Sequence, residues 1–164
     1  MHTSSRRELL LPTTGNDADV IRALLELERE AVHMYGFAAK RLDGTAGRLA
    51  RRIREQERAH SDGLARSVHR LGQAPPHEGM VEMKGLRRAV DEGGPAFARF
   101  AAARESRVVA AYLRALGRLR RPGLCGPVAS ILANEAQHLT LLREYLGRDP
   151  VPSAYESGIS RPLA

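Results

Sequence analysis

The chain has 164 residues and 43% hydrophobic content, enough to bury one good core as a single domain. Its lone cysteine, Cys125, excludes an internal disulfide and fits a reducing compartment, and no apolar run approaches the length of a membrane span. A net charge of +7 raises nucleic acid or an acidic partner, but lysine occurs only at 40 and 84, and arginines interspersed with glutamates read first as solvated helix faces, with a nucleic-acid surface kept as the lesser alternative.

Residues 1–17 read as an irregular head. Arg6-Arg7 followed by Leu9–Leu11 and Pro12 is too short an apolar run for a signal peptide, so a cytoplasmic protein is expected. Asp17 is expected to cap a first helix over 18–42, whose apolar stripe runs through Ile21, Leu24, Leu25, Ala31, Val32, Tyr35, Ala39 and Leu42. Asp43-Gly44 breaks the chain before a second helix over 46–71, striped by Leu49, Ile53, Leu64, Val68 and Leu71. The segment 72–95 is too long for a tight turn and can run the length of a bundle. Within it Met80 to Glu92 reads as a short helix, with Met80, Val81, Met83 and Leu86 covering one end of the core. Pro95, at N1, opens a third helix over 96–120 striped by Ala98, Ala101, Val108, Tyr112, Ala115 and Leu119. Pro127 is expected at N1 of a fourth over 127–146, carrying Val128, Ile131, Leu142 and Tyr145. Pro150, Pro152 and Pro162 make 147–164 an extended tail. The expectation is an all-α bundle over 18–146, two antiparallel helix hairpins joined by a long crossover.

Each hairpin carries the same acids. Glu28 is followed about thirty residues later by Glu57 and His60, and Glu105 by Glu135 and His138. Positions i and i+3 lie one turn apart on the same side of a helix, so a Glu-x-x-His pair can reach a single ion. Carboxylate oxygen with imidazole nitrogen suits iron or manganese and is acceptable to zinc. Phase separates these pairs from a decoy: Glu30-Ala31-Val32-His33 has the same spacing, but Glu30 lies about 200° round the helix from Glu28. Depth agrees with phase, because the point midway between Glu28 and Glu57 falls beside Asp43-Gly44, and that between Glu105 and Glu135 falls just before Pro122-Gly123. Four acids on inward faces need compensation, which two divalent cations supply; pairing each acid with an arginine is the plainer alternative. The hairpins also repeat in detail: Tyr35 follows Glu28, and Tyr112 follows Glu105, by seven residues.

With Glu135-Ala136-Gln137-His138 and the closing Leu146-Gly147, Pro150-Val151-Pro152 and Tyr155-Glu156-Ser157-Gly158, these features resemble the ferritin-like superfamily, most closely its small bacterial ferritin-like domain proteins, over about residues 18–158. The resemblance implies a ferritin-like four-helix bundle in which Glu28, Glu57, His60, Glu105, Glu135 and His138 hold two metal ions that react with oxygen or peroxide. Iron is the usual metal, with manganese or a mixed iron/manganese pair as alternatives. In that reading Glu28 and Glu105 are terminal or chelating, Glu57 and Glu135 bridge, and the histidines supply nitrogen. Tyr35 and Tyr112, about two turns from Glu28 and Glu105, are placed to donate a hydrogen bond or an electron, although each also reads as a core tyrosine. No cysteine-rich iron module is present, so an electron donor must be separate, and without an extra C-terminal helix storage in a large shell is disfavoured. A homodimer is a further expectation of the resemblance. The alternatives are iron or manganese binding, ferroxidase activity included, without an organic substrate, and a metal-free interaction module on the same fold.

Overall fold

The computed structural model describes residues 15–76 and 85–158. The head before Gly15, Met80, Val81, Met83 and Pro162 lie outside the described residues. Within them the chain is helical, without strands: α1 (Asp17–Ala39), α2 (Gly44–Arg70), α3 (Leu86–Asp91), α4 (Gly94–Leu116) and α5 (Pro122–Tyr145). Helices α1 and α2 form one hairpin and α4 and α5 the other, with α3 in the crossover packed on α4. None of these helices is long and apolar enough to cross a membrane.

Helix α1 begins one residue before the expected start, and its cap is Asn16 rather than Asp17. The Asn16 side chain accepts from Ala18 N at 2.8 Å and Asp19 N at 3.2 Å, and the Asp19 carboxylate accepts from Asn16 N at 3.0 Å. This is a reciprocal capping box. Asp17 is already helical, so its carboxylate is free to reach the other hairpin, where it accepts from Arg120 N and Arg121 N at 2.9 and 3.0 Å. It thereby ties the start of α1 to the turn before α5.

Helix α5 starts at Pro122, five residues before the expected Pro127. Proline at the first helical position loses no useful donor, and buried Leu124 holds that first turn against the core. Pro127 then lies inside the helix on its exposed side, where the missing N–H is tolerated because packing on both flanks, at Leu124 and Val128, keeps the segment helical. Pro95 stands second in α4, behind Gly94. A Cβ on Gly94 would sit 2.3 Å from Tyr145 Oη and 2.7 Å from Ala46 Cβ, so only glycine lets α4 start this close to α2 and α5.

The apolar stripes merge into two clusters. One gathers Ile21, Leu24, Leu64, Val108, Leu124 and Val128; the other gathers Met34, Ile53, Phe97, Ala101, Leu142 and, from α3, Leu86. Leu86 thus covers the core as its sequence position suggested. Burying one leucine or isoleucine contributes about 1.5–3 kcal/mol, and on every long helix the segments feeding the two clusters are separated by the acidic and histidine positions. Apolar packing on both sides therefore holds a polar layer that could not hold itself.

Residues 147–158, the described part of the tail, have no helix, yet they are fixed. Ser106 Oγ donates to Gly158 O at 2.9 Å, and Arg143 Nη1 donates to Glu156 Oε2 at 2.7 Å. Gly158 is buried at φ +66°, with Ser106 O and Ala110 N only 2.3 Å from where a Cβ would be. The close backbone approach and the left-handed conformation both require glycine here.

Candidate metal centre

All six residues singled out from spacing meet in the layer between the two clusters. Helix α1 contributes Glu28, α2 Glu57 and His60, α4 Glu105, and α5 Glu135 and His138. Their ligand atoms fall into two groups, each within 4.8 Å: Glu28, Glu57, His60 and Glu135, and Glu57, Glu105, Glu135 and His138. Glu57 and Glu135 belong to both. The four glutamates and His138 are at most 1% exposed. His60 alone is reached from outside, its side chain 12% exposed.

The decoy falls away as its phase requires. His33 is exposed, and Glu30 turns to the α4 side, where Glu30 Oε2 lies 3.1 Å from Nη2 of buried Arg104. Here the plainer reading of an acid paired with an arginine is the right one. Arg104 Nη2 also donates to Leu27 O at 2.8 Å, so Glu30 and a backbone carbonyl share that end of the guanidinium, while Nε stays buried without a hydrogen bond. Glu30→Ala is expected to lower stability by roughly 2 kcal/mol in chemical denaturation, because it strands a buried cation. A loss under about 0.5 kcal/mol, the range of an ordinary surface change, would contradict that role.

The tyrosines correct an expectation. Tyr35 does not serve Glu28, nor Tyr112 Glu105; the pairs are crossed. Tyr35 Oη donates to Glu105 Oε1 at 2.5 Å, and Tyr112 Oη donates to Glu28 Oε1. Seven residues along one helix span about 10 Å, too far for a side-chain hydrogen bond, whereas antiparallel α1 and α4 bring each tyrosine level with the other helix's glutamate. Both hydroxyls are raised well above the ordinary tyrosine range, first by burial and then by the carboxylates around them. They remain protonated donors, fixing one oxygen of each outer glutamate.

The inner atoms have no such partners. Both oxygens of Glu57 and of Glu135, Glu105 Oε2 and His138 Nδ1 are buried without a hydrogen bond. His138 Nε2 lies 3.0 Å from Gln56 Oε1, and its Nδ1 faces the inside of the layer without a hydrogen bond. That nitrogen faces Glu57 Oε1 at 3.2 Å and Glu135 Oε2 at 3.5 Å. Three buried polar atoms converge with no hydrogen bond to any of them. Cations resolve this: ligand atoms about 2.0–2.2 Å from a common ion lie about 3 Å apart. On the other side His60 Nδ1 is hydrogen-bonded to Glu28 Oε2 at 3.2 Å, while its 2.9 Å approach to Glu135 Oε1 is a charge contact without hydrogen-bond geometry.

Protonation shows the same tension in the metal-free layer. Burial, then the charges of Glu135 and Glu28, raises the Glu57 carboxyl well above its ordinary range. Burial and the Glu135 charge push Glu105 up to about 8. Burial works against a charged His60, but contacts with Glu135, Glu28 and Glu57 outweigh it and raise the imidazole to about 12. Burial would likewise raise Glu135, yet His138 and His60 bring it down to about 2. The layer thus holds protons where it lacks metal.

Sequence spacing did not identify Gln56 or Arg104 as part of this layer. Each precedes a glutamate of the layer by one residue, but its partner is on another hairpin, which helical periodicity does not reveal. No curated protein and no solved structure matches the chain. The ferritin-like domain family model matches residues 16–148, a span holding all four long helices and all six converging side chains, and the chain belongs to that family.

Proposed function

We propose that the chain is a dinuclear metal protein of oxidoreductase type, holding two iron ions and reducing oxygen or peroxide. Glu28 and His60 would hold one ion, Glu105 and His138 the other, and Glu57 and Glu135 both; the two overlapping groups of ligand atoms support this division. The observation that carries the reading is the set of buried oxygen and nitrogen atoms around His138 Nδ1 that lack a hydrogen-bond partner, which a metal-free interaction module would leave unexplained. Oxygen and nitrogen donors without sulfur suit iron, and manganese next. Bound iron would supply electrons to the oxidant, and a separate donor would restore them.

The chain's own residues prepare that site. Tyr35 and Tyr112 hold the outer glutamates, leaving Glu105 Oε2 unpaired toward the centre. Leucine and valine packing on both sides excludes water. His60 must give up its proton to become a ligand, so metal uptake releases protons. Anaerobic loading with ferrous ion followed by rapid mixing with oxygen or peroxide tests the proposal. Oxidation of both ferrous ions with an optical change is the expected result; a loaded protein inert to both oxidants would refute it.

Gln56 gives a finer check. Second-layer partners of metal-binding histidines are worth about tenfold to a hundredfold in affinity, so Gln56→Ala is expected to weaken one of the two ions by that factor. Gln56→Glu, which keeps an acceptor against Nε2–H, should restore most of it. Manganous-ion calorimetry reads both steps, and equal weakening of the two would show that Gln56 does not act through His138.

A further inference from the structure

The only side chain of the centre reached from outside, His60, lies in the wall of a cleft of about 360 Å³ between α2 and α5, with Ile21 of α1 also lining it. Leu64, Leu124, Val128 and Ile131 make its walls apolar, Arg66 and Arg70 supply its charge, and no acid lines it. Neither arginine forms an ion pair among the described residues; Arg70 donates to Ser67 Oγ at 2.9 Å. The 1.5 Å helical rise puts Arg66 and Arg70 about 9 and 15 Å along α2 from His60. Arg66 leans back toward it, with Nη2 3.8 Å from where a Cβ on Gly63 would be. Guanidinium groups without an ion pair beside apolar walls select a ligand that joins an anionic head to an apolar chain.

We propose that this cleft binds an alkyl carboxylate, its head on Arg66 and Arg70 and its chain running over Ile21, Leu64 and Val128 to His60. The cleft stands on its own geometry; only the statement that the chain's far end approaches a metal ion rests on the reading of the centre given above. A cationic amphiphile is excluded by charge. Nucleic acid is disfavoured because no Phe, Tyr or Trp lines the cleft as a stacking platform.

Decanoate is the probe, titrated into metal-free and manganese-loaded protein and followed by calorimetry and by proton NMR of the ligand. Metal-free wild type should bind it, decylammonium should not bind, and Arg66→Gln/Arg70→Gln should weaken it at least about tenfold. Both arginines are exposed, so the variant is expected to keep its helical circular dichroism. In manganese-loaded protein, paramagnetic broadening should be strongest at the terminal methyl and weakest beside the carboxylate. Unchanged affinity in the double variant, equal binding of decylammonium, or broadening strongest at the carboxylate end would each overturn the proposal. Dimer formation that competes with decanoate would overturn it too, by giving the cleft to a second copy of the chain. Failure to take up manganese would count against the dinuclear centre, while the metal-free titration would still decide the cleft.

Discussion

Glu57→Ala and Glu135→Ala are each expected to bring bound iron from two ions per chain to fewer than one, whereas Glu30→Ala and His33→Ala should keep both. The effect is large because Glu57 and Glu135 belong to both groups of ligand atoms, so removing either damages two positions at once. Glu28→Ala or Glu105→Ala, each confined to one group, should cost one ion more than the other. Glu30→Ala is the informative control, since it destabilises the bundle through Arg104 without removing an atom of either ligand group. Elemental analysis of protein purified without chelator gives the comparison. Equal metal loss in Glu30→Ala and Glu57→Ala would mean that loss follows stability rather than ligation.

The second large effect is on stability against pH. In the metal-free protein Glu105 moves from its ordinary 4.5 to about 8, so its contribution is fully present below about pH 4.5 and is lost as pH rises toward 8, and Glu57, raised as well, acts in the same direction. His60 acts in the same direction but later: raised from 6.5 to about 12, its contribution is present below 6.5 and is lost over that higher range. Glu135, lowered to about 2, contributes above 4.5 and loses that as pH falls toward 2. Metal-free protein should therefore melt highest near pH 5 and about 5 °C or more lower at pH 8. Saturating iron or manganese reverses the slope, because the ligands must be deprotonated and only the folded chain brings them together. The gap between loaded and metal-free melting points should widen from pH 5 to pH 8. Glu57→Gln/Glu135→Gln should flatten the metal-free profile and shrink the gap, since neutral amides relieve repulsion and bind metal poorly. A wild-type melting point indifferent to both ions across this range would contradict the account.

The residues legible in the sequence were those whose position a single helix determines. Glu28, Glu57, His60, Glu105, Glu135 and His138 could be picked out because helical phase puts them on apolar stripes and equal distance from the turns puts them at one depth. The same phase argument set Glu30 and His33 aside, and the structure gives Glu30 a partner in Arg104. What the sequence left open depends on how helices pack. Crossing of the Tyr35 and Tyr112 hydrogen bonds follows from α1 and α4 being antiparallel neighbours. Asp17 looked like a cap because its residue type suits one, but Asn16 takes that place one residue earlier and frees Asp17 to bind across the molecule. Pro127 looked like a helix start because proline usually is; Pro122 offered an earlier one, and the packing of Leu124 and Val128 carried the helix through.

Anaerobic titration of metal-free protein with ferrous ion, read by calorimetry and checked by elemental analysis of the desalted product, tests most directly whether these side chains form one shared centre. The account predicts two ions per chain in wild type, proton release on binding, and loss of both ions' tight binding in Glu57→Ala. A single ion per chain, or two that survive Glu57→Ala unchanged, would contradict it.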